Sequence, residues 1–269
     1  MSAAHNRPVN LDTLLSIMVR LRDPERGCPW DQRQDFRSIA PYTLEEAYEV
    51  VDAIESDEPA ALQEELGDLL FQVVFHTQLA SELGWFGFEQ VVEGICDKMI
   101  RRHPHVFGDA VVADAAAQTQ AWERHKQEEK SGQQSILAGV ASGLPALTRA
   151  DKLQRRAAMV GFDWPDSAGV FAKVEEELGE VREELQGPVD REALLDECGD
   201  LLFAVVNLVR HAGIDPEAAL RHGNKKFVRR FERVEAQCSQ AGVAMSSADL
   251  EMLNRFWEQA KAAEPEEDV

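Results

Sequence analysis

The sequence is written twice, and this repetition limits the fold more than any other feature of the chain. TLEEAYEV at 43–50 is echoed by VEEELGEV at 174–181, and ELGDLLF at 65–71 by ECGDLLF at 197–203. KMIRR at 98–102 recurs as KFVRR at 226–230, and WERHK at 122–126 as WEQAK at 257–261. GCPW at 27–30 has a looser partner in GFDW at 161–164. Five matches in one order, spaced 128 to 135 residues apart, mean two homologous halves. The reading is a first repeat over 1–130, a polar linker over 131–135, and a second repeat over 136–269 that ends in an acidic tail.

Within each half the apolar residues recur with a helical period, and no alternating run bounded by turn residues calls for a strand. The predicted class is all-α, with each repeat a small bundle resembling four helices. Helices are expected over 43–56, 60–83, 90–102 and 115–130, and again over 170–185, 191–212, 217–241 and 249–262. Thr43 and Glu46 have the spacing of a capping box, and Leu44, Ala47, Tyr48, Val51 and Ile54 fall on one face of the first of these helices. The next helix follows Pro59, and its middle, Leu69 to Phe75, is apolar nearly all round, which predicts burial.

On helices, residues three apart share a face. Glu46 with Glu49 and Glu65 with Asp68 therefore form carboxylate pairs on consecutive helices, as do Glu177 with Glu180 and Glu197 with Asp200. Short connections favour antiparallel neighbours, which brings four carboxylates together in each repeat. Any single E-x-x-E in so acidic a chain reads as solvated surface. Glu65 and Asp68, however, share a stripe with Gln72 and Leu79 on the helix expected to be buried. Anions held ~4 to 6 Å apart repel by several kcal/mol even at an effective dielectric of ~20. They either protonate or enclose a hard cation, and an all-oxygen donor set suits Mg²⁺ or Mn²⁺ rather than zinc. A di-iron bundle would need Glu-x-x-His on two helices, and no histidine here follows a glutamate by three. His103 and His105, flanking Pro104 in the first half alone, read as loop or packing residues.

Charge narrows the ligand. Asp and Glu number 49 against 28 Lys and Arg, a formal charge of −21 that repels long nucleic acid and anionic lipid. A bound divalent cation inverts the local sign, so small phosphorylated ligands stay open. Lys98 with Arg102, and Lys226 with Arg230, are spaced i, i+4 and recur in both halves, which suggests anion capture, with salt bridges to the carboxylates as the alternative. There is no P-loop and no Gly-Lys dipeptide, and GEVREEL at 179–185 lacks the spacing of a Nudix box. No apolar run approaches the ~20 residues of a membrane span, and the polar residues 1–10 carry no secretory signal pattern. Cys28, Cys96, Cys198 and Cys238 show no C-x-x-C spacing, which speaks against zinc and disulfides and makes the cytoplasm the expected location.

The doubled pattern of E-E-x-x-E followed by E-x-x-D, together with GCPWD at 27–31 and RRHPHVF at 101–107, resembles the tandem-domain MazG family of nucleoside triphosphate pyrophosphohydrolases, from about residue 11 to 261. The resemblance implies an all-α, Mg²⁺-dependent enzyme, with Mn²⁺ as a substitute, in an intertwined homodimer. It implies hydrolysis of NTPs and dNTPs to monophosphate and pyrophosphate, with broad base specificity, and a link to nucleotide-pool cleansing and to a toxin–antitoxin stress system. By position, Glu177, Glu180, Glu197 and Asp200 would hold magnesium, as would Glu46, Glu49, Glu65 and Asp68. Glu176 would orient or deprotonate the attacking water, making Glu176, Glu177 and Lys173 the catalytic set. Lys173, Lys226 and Arg230 would bind the triphosphate, Trp257 and Lys261 would close the pocket, and Asp196 and Asn207 would contact the nucleotide. The first repeat matches at Lys98, Arg102, Trp122 and Lys126 but has Tyr42 where the second has Lys173, and Phe75 where it has Asn207. The main site is therefore expected in the second repeat. A non-catalytic sensor of nucleotide or magnesium, or a phosphatase of the terminal phosphate, are the alternatives.

Overall fold

In the computed structural model the described residues are 10–110, 135–187 and 190–263. They form ten α-helices and no strand, so the all-α, tandem expectation holds for the described residues. The chain divides into two compact units, residues 1–130 and 131–269. The first carries α1 (Leu11–Leu21), α2 (Phe36–Glu55), α3 (Pro59–Glu82), α4 (Phe88–Arg102) and the single turn α5 (Pro104–Phe107). The second carries α6 (Ala146–Ala158), α7 (Ser167–Glu184), α8 (Arg191–His211), α9 (Pro216–Gln240) and α10 (Leu250–Ala262). The helix expected over 115–130, with Trp122 and Lys126, and linker residues 131–134 lie outside the described residues.

Local signals set the helix starts. Asp35 caps α2 by accepting the Arg37 and Ser38 amides, while the Ser38 hydroxyl accepts from the Asp35 amide. The helix thus begins well before Thr43, and Pro41 lies inside it. The expected capping box at Thr43 does not form, and its hydroxyl instead sits 2.9 Å from His76 Nε2 on α3. Pro59 opens α3 and Pro216 opens α9, where the missing amide hydrogen costs nothing. Asp166, Asp190, Asp215 and Asp249 cap α7, α8, α9 and α10.

Along α2 and α3 the contacts Thr43 to His76, Glu46 to Gln72 and Glu49 to Glu65 run in opposite order, so the helices are antiparallel. Met18, Ile39, Val74, Phe75 and Leu79 join α1, α2 and α3 in the first unit's core, and Val234, Cys238, Phe256 and Ala260 join α9 to α10 in the second. Of the apolar stripe on α2, Leu44, Tyr48 and Ile54 lie exposed, and the fully buried residues of the helix are Ile39 and Ala53. One expectation fails at this level. On α3, Gln72, Val74 and Phe75 are buried but Leu66, Leu70 and Val73 are exposed. One α2/α3 pair covers one side of itself, and the periodicity counted both sides as core. Among the described residues, no helix is long and apolar enough to cross a membrane.

Candidate active site

In the second unit α7 and α8 lie against each other and bring their acidic faces together. One oxygen from each of Glu177, Glu197 and Asp200 lies within 4.8 Å of the others. Glu177 is 3% exposed, Glu197 half-buried and Asp200 open to solvent. Lys173, one turn before Glu177 on α7, sets its ammonium 2.5 Å from Glu177 Oε1 and donates to Glu176 Oε1 at 2.9 Å. Those two carboxylates hold the Lys173 ammonium well above the usual lysine range, Glu177 contributing most. The second oxygen of Glu177, Oε2, is buried with no hydrogen-bond partner among the described residues. A buried anionic oxygen left unpaired is costly, so its surroundings are incomplete without a cation or donor.

Glu180 falls outside the tight trio but stays coupled to it. Contact with Glu177, then burial, then the charge of Glu197, raise its carboxyl above the usual range, with Lys173 opposing. The first unit assembles a different trio, Glu46, Glu49 and Glu65, within the same 4.8 Å. Here Asp68 is the outlier, open to solvent. Burial first, then Glu49 and Asp68, raise Glu46, which accepts a long 3.4 Å bond from Gln72 Nε2. Burial and then Glu49, Glu64 and Asp68 raise Glu65. Three of the four expected carboxylates thus converge tightly in each unit, and the fourth stays coupled to them at the edge.

The two units differ beside their acids. In the second, Lys173, Glu177 and Asp200 line a cavity of about 810 Å³ that continues to Asn207 and Arg210 on α8 and to Gln154 on α6. Trp164 forms part of its wall, seated where Gly169 leaves room, since a Cβ there would come within 2.4 Å of the Trp164 ring. In the first unit Tyr42, the counterpart of Lys173, meets Trp30 edge-on at 6.0 Å. Phe75, the counterpart of Asn207, is 1% exposed in the core with Met18 and Leu79.

Not every expected nucleotide residue reaches this cavity. Lys226 and Arg230 on α9, and Trp257 and Lys261 on α10, are not among its lining residues. Away from it, the Arg230 guanidinium lies 5.9 Å over the Trp257 ring, Phe227 stands against that ring at 5.4 Å, and Lys261 pairs with Glu258 at 2.7 Å. The spacing i, i+4 fixed their common face but not which surface that face meets. Asp196 is exposed on α8 and also outside the cavity lining, and Glu176 is exposed beside Lys173. On α4, Lys98 and Arg102 are half-buried on a helix that buries none of its residues fully. Sequence reasoning missed Gln154, Asp163 and Arg210. The repeated Gly-x-x-Trp of GFDW was the signal that a structured wall begins there.

The MazG nucleotide pyrophosphohydrolase domain model matches the chain twice, over 34–107 and 167–235. These segments contain both acidic trios and Asn207. The chain is 50% identical over 257 residues to the nucleoside triphosphate pyrophosphohydrolase of Escherichia coli strain K12, covering 94% of this chain and 98% of that protein. It is 44% identical over 254 residues to the nucleoside triphosphate pyrophosphohydrolase/pyrophosphatase MazG of Thermotoga maritima, covering 94% and 96%. It is also 42% identical over 253 residues to the protein YabN of Bacillus subtilis, 94% of this chain and 52% of that one. With two matched domains and relatives of such identity along nearly its whole length, the chain belongs to the MazG nucleotide pyrophosphohydrolase family.

Proposed function

We propose that this protein hydrolyses nucleoside and deoxynucleoside triphosphates between the α and β phosphates, releasing monophosphate and pyrophosphate, with magnesium as cofactor, manganese as substitute and broad base tolerance. The observation that carries the reading is the difference between the units. In the second, two acids of the trio, Glu177 and Asp200, line a cavity of about 810 Å³ with a cationic wall at Lys173, whereas in the first the equivalent of Asn207 is a core phenylalanine. The names of the relatives agree with the chemistry, and the second unit is the main site.

The donor set fits the cation. Glu177, Glu197 and Asp200 offer carboxylate oxygens alone, with Glu180 at their edge, and the orphaned Glu177 Oε2 supplies the open valence such an ion satisfies. Bound there, magnesium neutralises phosphate charge and makes the attacking water more acidic. The protein's own residues do the rest. Lys173 places a positive charge where the phosphate chain enters, and by holding Glu176 Oε1 at 2.9 Å it keeps that carboxylate turned toward the acidic face. Glu176 takes the proton from water as its oxygen bonds the α-phosphorus, and the bond to the bridging oxygen breaks with its electrons leaving on pyrophosphate.

The homodimer belongs to the same proposal. Leu44, Tyr48, Leu66 and Leu70 in the first unit, and Leu202, Phe203, Phe227 and Phe231 in the second, are large apolar side chains left exposed in one chain, which a second copy would cover. Lys226, Arg230, Trp257 and Lys261 lie outside this chain's cavity, so their part in nucleotide binding falls to the cavity of that second copy. Orthophosphate release with each common nucleotide, with and without added inorganic pyrophosphatase, tests the reaction. Orthophosphate is expected only in the coupled assay. Its appearance without coupling would mean terminal cleavage, and binding without any turnover would mean a sensor.

A further inference from the structure

The cavity of the second unit has an acidic end and an amide end. Asp200 and Asn207 are seven residues apart on α8, so they share a face about 10.5 Å apart along the axis. At the amide end the protein fixes the orientation of two side chains. Gln154 is 7% exposed and donates from Nε2 to the Phe203 carbonyl at 2.8 Å. Turned over, it would set oxygen against oxygen, so Oε1 faces away from α8's backbone. That Oε1 is buried, on a cavity-lining residue, with no hydrogen-bond partner among the described residues. Asn207 Oδ1 accepts from Arg210 Nε at 3.1 Å and Nη2 at 2.7 Å, and Arg210 is itself anchored to Asp163. A reversed Asn207 would oppose two donors, so its Nδ2 is the group left to the cavity.

The Phe203 carbonyl lies one helical turn before Asn207 on α8. A buried acceptor and an oriented donor therefore line the same cavity. A burial that leaves an acceptor unpaired is unfavourable, and a ligand N–H removes the penalty. Every nucleobase presents an N–H next to an acceptor on its pairing edge, whereas a sugar presents hydroxyls. The first unit, whose first-repeat Gly27 matches Gly161, has Arg20 at the register of Gln154 and Phe75 at that of Asn207, so it lacks both amides.

We propose that Gln154 is a nucleobase contact whose Oε1 accepts an N–H from the base edge, while Asn207 Nδ2 donates to the adjacent base acceptor and Arg210 acts as the residue that positions Asn207. The proposal rests on the cavity being a nucleoside triphosphate site.

The test measures KM and kcat for the four ribonucleotides and their deoxy forms in wild type and Gln154→Met, with inorganic tripolyphosphate as a competitive inhibitor lacking a nucleoside. Gln154→Met should raise KM for the preferred nucleotides about 5- to 10-fold, the worth of one hydrogen bond, with kcat little changed. Its tripolyphosphate inhibition and its ribose-to-deoxyribose ratio should match wild type. In wild type alone, 3-methyl-UTP against UTP and N6,N6-dimethyl-ATP against ATP should show the same loss, and this arm stands even if the variant folds poorly. Arg210→Met should raise KM for the same nucleotides and add little on top of Asn207→Ala, where a general structural role would add in full. Unchanged KM, a parallel loss of tripolyphosphate inhibition, or a shift in the sugar ratio instead would overturn the assignment. Failure of wild type to turn over any triphosphate would sink the underlying reading, and appears before any variant is made.

Discussion

Glu177→Gln is the substitution that most fully exposes the energetics of the acidic trio. At 4.8 Å and an effective dielectric of ~20, each pair of carboxylates repels by about 3.5 kcal/mol, and solvent at Asp200 screens this to a smaller sum. Glu177 takes part in two of the three repulsions, yet it also holds the Lys173 ammonium at 2.5 Å. Removing its charge relieves the one and forfeits the other, so without magnesium the stability should change by no more than about 1 kcal/mol. With magnesium at ~100 times its dissociation constant, wild type should gain about 2.7 kcal/mol, a rise of roughly 5 to 10 °C in the melting temperature. Glu177→Gln should lose most of that rise and at least ~10²-fold of turnover. Thermal melts in chelator and in magnesium, read beside nucleotide hydrolysis, measure both. An equal magnesium shift in wild type and variant, or full activity in the variant, would refute the reasoning.

Three further outcomes follow from the same structure. Phe75→Asn should cost about 3 to 5 kcal/mol, because it empties a fully buried ring site and leaves an amide unpaired, while activity of the second unit persists at low temperature; calorimetry beside turnover reads the two apart. Gly169→Ala should cost about 1 to 3 kcal/mol and displace Trp164, seen as a changed tryptophan emission spectrum with a raised KM, since the new Cβ would sit 2.4 Å from the ring. Arg210, aided by His211, holds the Asp163 carboxyl down at about 2, below its ordinary 3.8. That stabilisation is complete above pH ~4 and vanishes as pH falls through about 2. Asp163→Asn should therefore cost roughly 1 to 2 kcal/mol at pH 7 in urea titrations, and the gap should close from pH 4 downward; a gap independent of pH would contradict the assignment.

What was legible in the sequence was what repetition and helical spacing encode. The all-α class and the convergence of the acids follow from residues three apart on helices that the chain spells out twice. The start of α2 was hidden because Pro41 and Thr43 resemble an initiation signal, while the working cap, Asp35 with Ser38, lies just upstream. The exposed stripe of Leu44, Tyr48 and Ile54 could not be told from core, because periodicity marks an apolar face without saying what covers it. Helices α1 and α6 carry no acidic motif and passed unread, and with α6 went Gln154. Its importance arises from a carbonyl 49 residues away and from a cavity wall, neither of which leaves a local pattern. That Lys226, Arg230, Trp257 and Lys261 do not line this chain's cavity was hidden for the same reason, since a shared face is local and its partner surface is not.

Cleavage at the α-phosphorus by the acids of α7 and α8, as proposed, is checked by identifying products from ¹⁸O-labelled water for wild type, Glu49→Gln and Glu180→Gln in magnesium. Wild type and Glu49→Gln should give labelled monophosphate and unlabelled pyrophosphate, and Glu180→Gln almost no product. Label in pyrophosphate or orthophosphate, or activity lost in Glu49→Gln and kept in Glu180→Gln, would contradict it.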